Sequence, residues 1–139
     1  MIIIDTNVLS ELMKPNPDAT VVGWVGARAR EDLFTTSITM AEIMYGLEAM
    51  PAGKKRETRL RIATTMFDVA FAQRIMAFDA DAALEFAAIV ASRRRAGRPI
   101  QMPDAQIAAI ARANRMAVAT RNVRDFADCG VDLIDPWKG

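Results

Sequence analysis

The chain opens on an unbroken apolar run, Met1-Ile2-Ile3-Ile4, that stops on Asp5. A bare hydrophobic stretch of this kind predicts a strand over residues 1–5, buried on both faces. Similar runs return in DLFTTSI, centred on Leu33 to Thr36, and in RIMAF, MAVAT and VDLID. Between them the apolar positions change to helical spacing. Val8 to Met13 reads as a short helix, and Asp18 caps a second that reaches about Ala29, with Val21, Val22 and Val25 on one face. Thr39 starts a helix through Met50, stopped by Pro51 and Gly53, and a longer one follows from about Lys54 to Val69. Asp79 to Arg95 is an alanine-rich helix, GRPIQM a loop, and Pro103 opens a helix that closes near Asn114. NVRDF makes a helical turn. Strands alternating with helices predict an α/β fold with a parallel sheet covered on both faces, in one domain over residues 1–139.

Composition narrows the chemistry. Hydrophobic residues make up 52% and charged residues 25%, as in a soluble globular chain, and no apolar run approaches the roughly 20 residues of a membrane helix. The N-terminus lacks the pattern of a signal peptide. Cys129 is the single cysteine, which excludes an internal disulfide and fits a buried thiol in a reducing cytoplasm. With 18 basic against 17 acidic residues, nucleic-acid binding would need local clustering. There is no histidine, so imidazole acid–base catalysis, Ser-His-Asp and Cys-His arrangements and histidine metal sites are all excluded. Carboxylates, amides, hydroxyls and basic groups remain, a set that suits hard cations such as magnesium or manganese.

Several acids fall where strands hand over to helices, the place where open parallel sheets bind ligands. Asp5 ends the first strand, Glu42 lies in the first turn after the second, Asp104 follows Pro103, and Asn122 and Asp125 follow MAVAT. Each has a purely structural reading. Asp5 could cap the helix that begins near Asn7. Thr39-Met-Ala-Glu42 is a capping box, Asn122 and Asp125 form a similar pair, and Asp104 complements a helix dipole. Their conjunction at one sheet edge points elsewhere, because like charges brought together repel and a divalent cation removes the conflict.

The blocks DTNVLSEL, SITMAEIMYGL, PDAQIAAIA and ATRNVRDF, with the terminal GVDLIDPW, resemble PIN domains, and more narrowly the VapC and FitB toxins of type II toxin–antitoxin systems. The resemblance implies a three-layer α/β/α fold with a central, mainly parallel sheet, and a ribonuclease dependent on Mg2+ or Mn2+. It also implies a cytoplasmic homodimer, neutralised by a VapB-type antitoxin that supplies the DNA-binding domain and can join it in a larger assembly. Carried over by position, Asp5, Glu42 and Asp104 match the acidic metal site. Asn122 stands where many relatives carry an aspartate, which leaves one charge missing that Asp125, a turn on, could supply. Thr6, Asn7, Ser37 and Thr120 are expected to orient carboxylates or water, or else to serve as ordinary caps.

The chemistry expected is metal-assisted hydrolysis of an RNA phosphodiester, leaving a 5′-phosphate and a 3′-hydroxyl. Arg93, Arg94, Arg95 and Arg98, before the Asp104 helix, and Arg121 and Arg124, beside Asn122, are candidates to hold RNA phosphates. In the last turn of a helix, arginines also complement its dipole. Trp24, Tyr45 and Trp137 are the few aromatics placed to stack on bases, Trp137 having the C-terminus to pack. Apolar residues around Ile43, Leu47 and Met50 serve the core or a groove for a partner segment. Two other readings stand beside the nuclease. One is a non-catalytic PIN-like module that binds RNA or protein. The other is a haloacid-dehalogenase-type phosphatase, weakened because Asn7 stands where a second aspartate is wanted.

Overall fold

The computed structural model describes residues Met1–Gly139. Five short strands, β1 (Ile2–Ile4), β2 (Leu33–Thr36), β3 (Ile75–Met76), β4 (Ala117–Ala119) and β5 (Leu133–Ile134), form one sheet in the order β3-β2-β1-β4-β5. Every pairing in it is parallel. The helices are α1 (Thr6–Leu12), α2 (Ala19–Gly26), α3 (Ser37–Glu48), α4 (Lys54–Thr65), α5 (Ala80–Arg95) and α6 (Met102–Ala113).

The alternation of side chains along the central strands divides the core into two layers. Ile3 pairs in register with Val118, and both face the α5–α6 side, where they pack with Ile89, Ile107, Ile110 and Phe126. One residue on, Ile4 pairs with Ala119 and faces the opposite side, against Val8, Leu9, Trp24, Ile43 and Phe67. The three-layer α/β/α arrangement follows, with α1–α4 on one face of the sheet and α5–α6 on the other.

Most expected elements form close to their predicted limits, and Asp18 and Asp79 cap α2 and α5 as their positions imply. Two differ for physical reasons. The helix expected from Lys54 to Val69 keeps its α geometry only to Thr65 and then widens into a π turn over Met66–Ala70, which buries Phe67. The helix expected to start at Thr39 starts at Ser37 instead. Thr36 caps it, accepting from the Thr39 amide at 3.1 Å, so the predicted capping box of Thr39 and Glu42 does not form.

The chain therefore leaves β1 and β4, neighbours at the middle of the sheet, toward opposite faces. That divergence opens a cleft beyond their carboxyl ends.

Candidate active site

Asp5 is set in the cleft by the strand that precedes it. It is 4% exposed, and its backbone amide continues the sheet through a bond to the Ala119 carbonyl. Its Oδ1 accepts from the Thr6 amide at 2.8 Å, which makes it the N-cap of α1. Its Oδ2 accepts from Thr120 Oγ1 at 2.8 Å and from Asn7 Nδ2 at 3.2 Å. The capping reading of Asp5 is therefore correct, but it accounts for one oxygen only. Burial still raises the carboxyl above its ordinary range, against the lowering effect of the Thr120 and Thr6 bonds, and the charges of Glu42 and Asp125 push the same way as burial.

Around Asp5 the polar residues of β4 and α1 interlock. Thr120 is fully buried, and while it donates to Asp5 its oxygen accepts from the Asn122 amide at 3.0 Å and from Asn7 Nδ2 at 3.3 Å. Asn7 Oδ1 in turn accepts from the Arg121 amide at 3.2 Å. These bonds join the two central strands beyond the last ladder pair and fix the orientation of Asp5.

Glu42 projects from the second turn of α3, and Thr6 Oγ1 donates to its Oε1 at 2.8 Å. Asp104 lies in the first turn of α6, behind Pro103. It is half-buried and its carboxyl is pushed up to about 6, first by desolvation and then by the charges of Asp5, Asp125 and Glu42, with Arg93 pulling it down. Asp5, Glu42, Asp104 and Asn122 line one cleft of about 420 Å³, together with Thr6, Asn7 and Arg121. The side chain of Asn122 is exposed and makes no bond within the chain. Asp125 does not line the cleft, although its charge raises the carboxyls of both Asp5 and Asp104.

Ser37, expected among the orienting groups, makes no side-chain bond there. The hydroxyls that do are those of Thr36 and Thr39, flanking it in TTSIT. No local signal separates these positions, because all three can cap a helix. Glu11 also escaped the sequence reading. It is buried at the cleft wall, and Lys14 at 2.9 Å and the Asp18 amide at 2.9 Å occupy its oxygens, holding its carboxyl below the ordinary range.

The arginine cluster divides. Arg93 is 6% exposed and turns inward: Nε donates to the Arg98 carbonyl at 2.7 Å, and Nη1 to the carbonyls of Asp125 at 3.0 Å and Ala127 at 2.9 Å. Its assignment to RNA phosphate is thus corrected, because a guanidinium that is itself buried and spent on three backbone carbonyls cannot reach a ligand. Arg98 is paired with Asp128. Arg94, Arg95 and Arg124 are exposed and unpaired, and Arg121 lies over the Trp137 ring at 4.9 Å, at the cleft rim. Trp24 is buried beneath Arg28 and offers no stacking face, whereas Tyr45 is 75% exposed.

The donor set is made of oxygens alone, which fits a hard divalent cation. No three carboxylates stand close enough to close around one ion. An ion held by one or two carboxylates and completed by water, the usual habit of magnesium, meets both facts. A groove of about 450 Å³ lined by Met13, Ile43, Leu47 and Met50 adjoins the cleft, sharing Thr6 and Glu42 with it.

Comparison with known proteins agrees with this geometry. The PIN domain profile matches residues 2–131. The chain is 41% identical over 138 residues to VapC ribonuclease Y4jK of Sinorhizobium fredii and 35% identical over 138 residues to toxin FitB of Neisseria gonorrhoeae, covering 99% of both partners in each case. The crystal structure of FitAcB from Neisseria gonorrhoeae superposes with a TM-score of 0.89 at 34% identity, over 99% of each chain. The DNA-bound VapBC structure from Salmonella typhimurium gives 0.81 at 26% identity, over 97% of each. A buried aspartate at the tip of a central strand, two further carboxylates facing it and similarity along nearly the whole chain lead to one conclusion: this protein belongs to the PIN domain family, in the group of the VapC and FitB toxins.

Proposed function

We propose that the chain is the toxin of a type II toxin–antitoxin pair and acts as a divalent-metal-dependent ribonuclease that hydrolyses RNA phosphodiesters. The observation that carries the reading is the gathering of Asp5, Asp104 and Glu42 on one cleft, with the Asp104 carboxyl pushed up to about 6 by desolvation first and then by its neighbours' charges. Carboxylates gathered on one cleft, with no lysine or arginine bonded to them, suit a divalent cation that offsets their repulsion.

Asp5 and Asp104 would hold Mg2+ or Mn2+ directly, and Glu42 directly or through water. When bound, the cation supplies Lewis acidity, acidifying water and neutralising charge on the phosphate. The protein's own part is orientation. Thr120 and Asn7 keep Asp5 in one rotamer, and Thr6 holds one oxygen of Glu42, leaving the other for the cleft. Asn122 presents an uncharged amide that can accept or donate toward a water or a phosphate. Arg121 at the rim, with Arg94, Arg95 and Arg124 farther out, would receive the RNA backbone.

The partner is a VapB-type antitoxin, and DNA is reached only through it. An antitoxin segment seated in the Met13–Met50 groove would run directly into the acid cleft, which the two hollows' shared wall of Thr6 and Glu42 supports. The protein would act as a cytoplasmic homodimer; no helix is long and apolar enough to cross a membrane. The uncharged Asn122 favours one second reading, a PIN-like module that binds RNA without cleaving it.

Titration of Mg2+ and Mn2+ into wild type and Asp5→Asn, beside cleavage of structured RNA by the same preparations, separates the two. Binding and cleavage lost together in the variant support the nuclease. RNA binding without metal-dependent cleavage in the wild type supports the module.

A further inference from the structure

Four side-chain oxygens stand in line behind the cleft. Thr36 Oγ1 lies 3.3 Å from Thr39 Oγ1, Thr39 Oγ1 lies 3.0 Å from Thr6 Oγ1, and Thr6 Oγ1 lies 2.8 Å from Glu42 Oε1. Each threonine hydroxyl carries a single proton, and a carboxylate can only accept. The proton of Thr6 is therefore committed to Glu42. Thr6 must then accept from Thr39, and Thr39 from Thr36. Thr36 accepts in its turn from the Thr39 amide at 3.1 Å, the N–H it caps at the positive end of α3. All the hydroxyl protons point one way, toward the carboxylate, and the separations shorten in the same direction.

Thr39 is the unexpected member. It is fully buried, and its hydroxyl satisfies no backbone group; its partners are the Thr6 and Thr36 hydroxyls alone. Valine would fill the same space without a polar group to satisfy, so packing gives no reason for a hydroxyl here. Glu42 itself is exposed and rests on a long side chain with rotamer freedom to lose.

From this geometry we infer that Thr39, backed by Thr36, is a positioning residue: it fixes the direction of the Thr6 hydroxyl and through it holds Glu42 in a single rotamer aimed at the cleft. The inference rests on the nuclease reading for its kinetic consequence, but its structural claim stands apart from that reading. A polarised file of hydroxyls is stiffer than a lone threonine bond, because each acceptor strengthens the next donor. The cleft then meets its substrate with Glu42 already placed.

The test uses the full-length protein with Thr39→Val and Thr39→Ser, read in two ways. Side-chain NMR couplings and methylene relaxation report whether Glu42 keeps one rotamer. Single-turnover and steady-state cleavage of RNA with Mn2+ report kcat and KM. The expected result is that Thr39→Val averages the Glu42 rotamer and lowers kcat about tenfold, with KM changed less than about twofold, as loss of orientation predicts. Thr39→Ser should restore both and melt near the wild type, while Thr39→Val, which leaves the buried Thr36 hydroxyl without its acceptor, should melt a few degrees lower and remain fully folded at the assay temperature. A single Glu42 rotamer in Thr39→Val would overturn the inference, as would a loosened Glu42 with unchanged kcat. Failure of the wild type to cleave any RNA with metal would overturn the nuclease reading instead, and the NMR measurement would still decide whether Thr39 orients Glu42.

Discussion

Asp104→Asn is expected to make the metal-free protein more stable at neutral pH while removing its response to metal. The Asp104 carboxyl rises from 3.8 to about 6 on folding, a little over two units. At about 1.36 kcal/mol per unit, the ionised group opposes folding by at most about 3 kcal/mol. Asp104 is only half-buried, so solvent screening reduces this to about 1.5 kcal/mol. The charge also gains roughly 0.3–1 kcal/mol from its place in the first turn of α6. The net gain in the variant is then about 1 kcal/mol, or about 3 °C in a chain of this size.

The sign of the pH dependence follows from the raised value. The native state takes up the proton more readily than the unfolded chain, so this stabilising contribution is complete below 3.8 and disappears as pH rises through about 6. Melting in a chelator at pH 7.5 and again near pH 5 gives the comparison: the variant should lead at pH 7.5, and its lead should shrink at pH 5. Adding Mg2+ should raise the melting temperature of the wild type alone. A variant less stable than wild type at pH 7.5 would refute the reasoning and return Asp104 to the role of a helix-dipole residue.

Four other substitutions test separate parts of the site. Asp5→Asn should keep the fold, since its carbonyl oxygen can still cap α1, yet lower RNA cleavage at least about a hundredfold; circular dichroism and cleavage on one preparation check both. Arg93→Met should cost about 1–2 kcal/mol in denaturant unfolding, because it removes the donor shared by the part-buried carbonyls of Arg98, Asp125 and Ala127, whereas Arg94→Ala should stay within about 0.5 kcal/mol and reduce the salt dependence of RNA binding. Asn122→Asp should tighten Mn2+ binding measured by calorimetry about three- to tenfold, and in the metal-free state it should lower the melting temperature by adding a charge to an already crowded cleft.

The sheet and most helices are legible in the sequence because bare apolar runs and capping residues are local signals. Asp5, Asp104 and Asn122 are legible for the same reason, Asp5 and Asp104 lying directly after a strand and a proline and Asn122 a few residues past β4. What local patterns cannot supply is which of several equivalent residues the tertiary structure selects. TTSIT offers four candidate caps, and Thr39-x-x-Glu42 satisfies the capping-box pattern perfectly well. The bond from Thr6, 36 residues away in sequence, draws Glu42 off the helix backbone. Among Arg93, Arg94 and Arg95, only helical phase separates the one that turns inward, and the carbonyls that receive it lie in a segment about 30 residues on. The π turn after Thr65 likewise depends on where Phe67 finds its core.

The sheet order has a consequence for synthesis. β1 leaves the ribosome first but is the middle strand, and its partner β4 comes 115 residues after it by the span from Asp5 to Thr120. Until that second strand arrives, Asp5 has neither its Thr120 donor nor the Ala119 carbonyl that seats its backbone. Contacts of such separation form late, after long loops have closed. A growing chain thus carries Asp5 and Glu42 long before it possesses a cleft, and the site is assembled only when the fold is nearly finished.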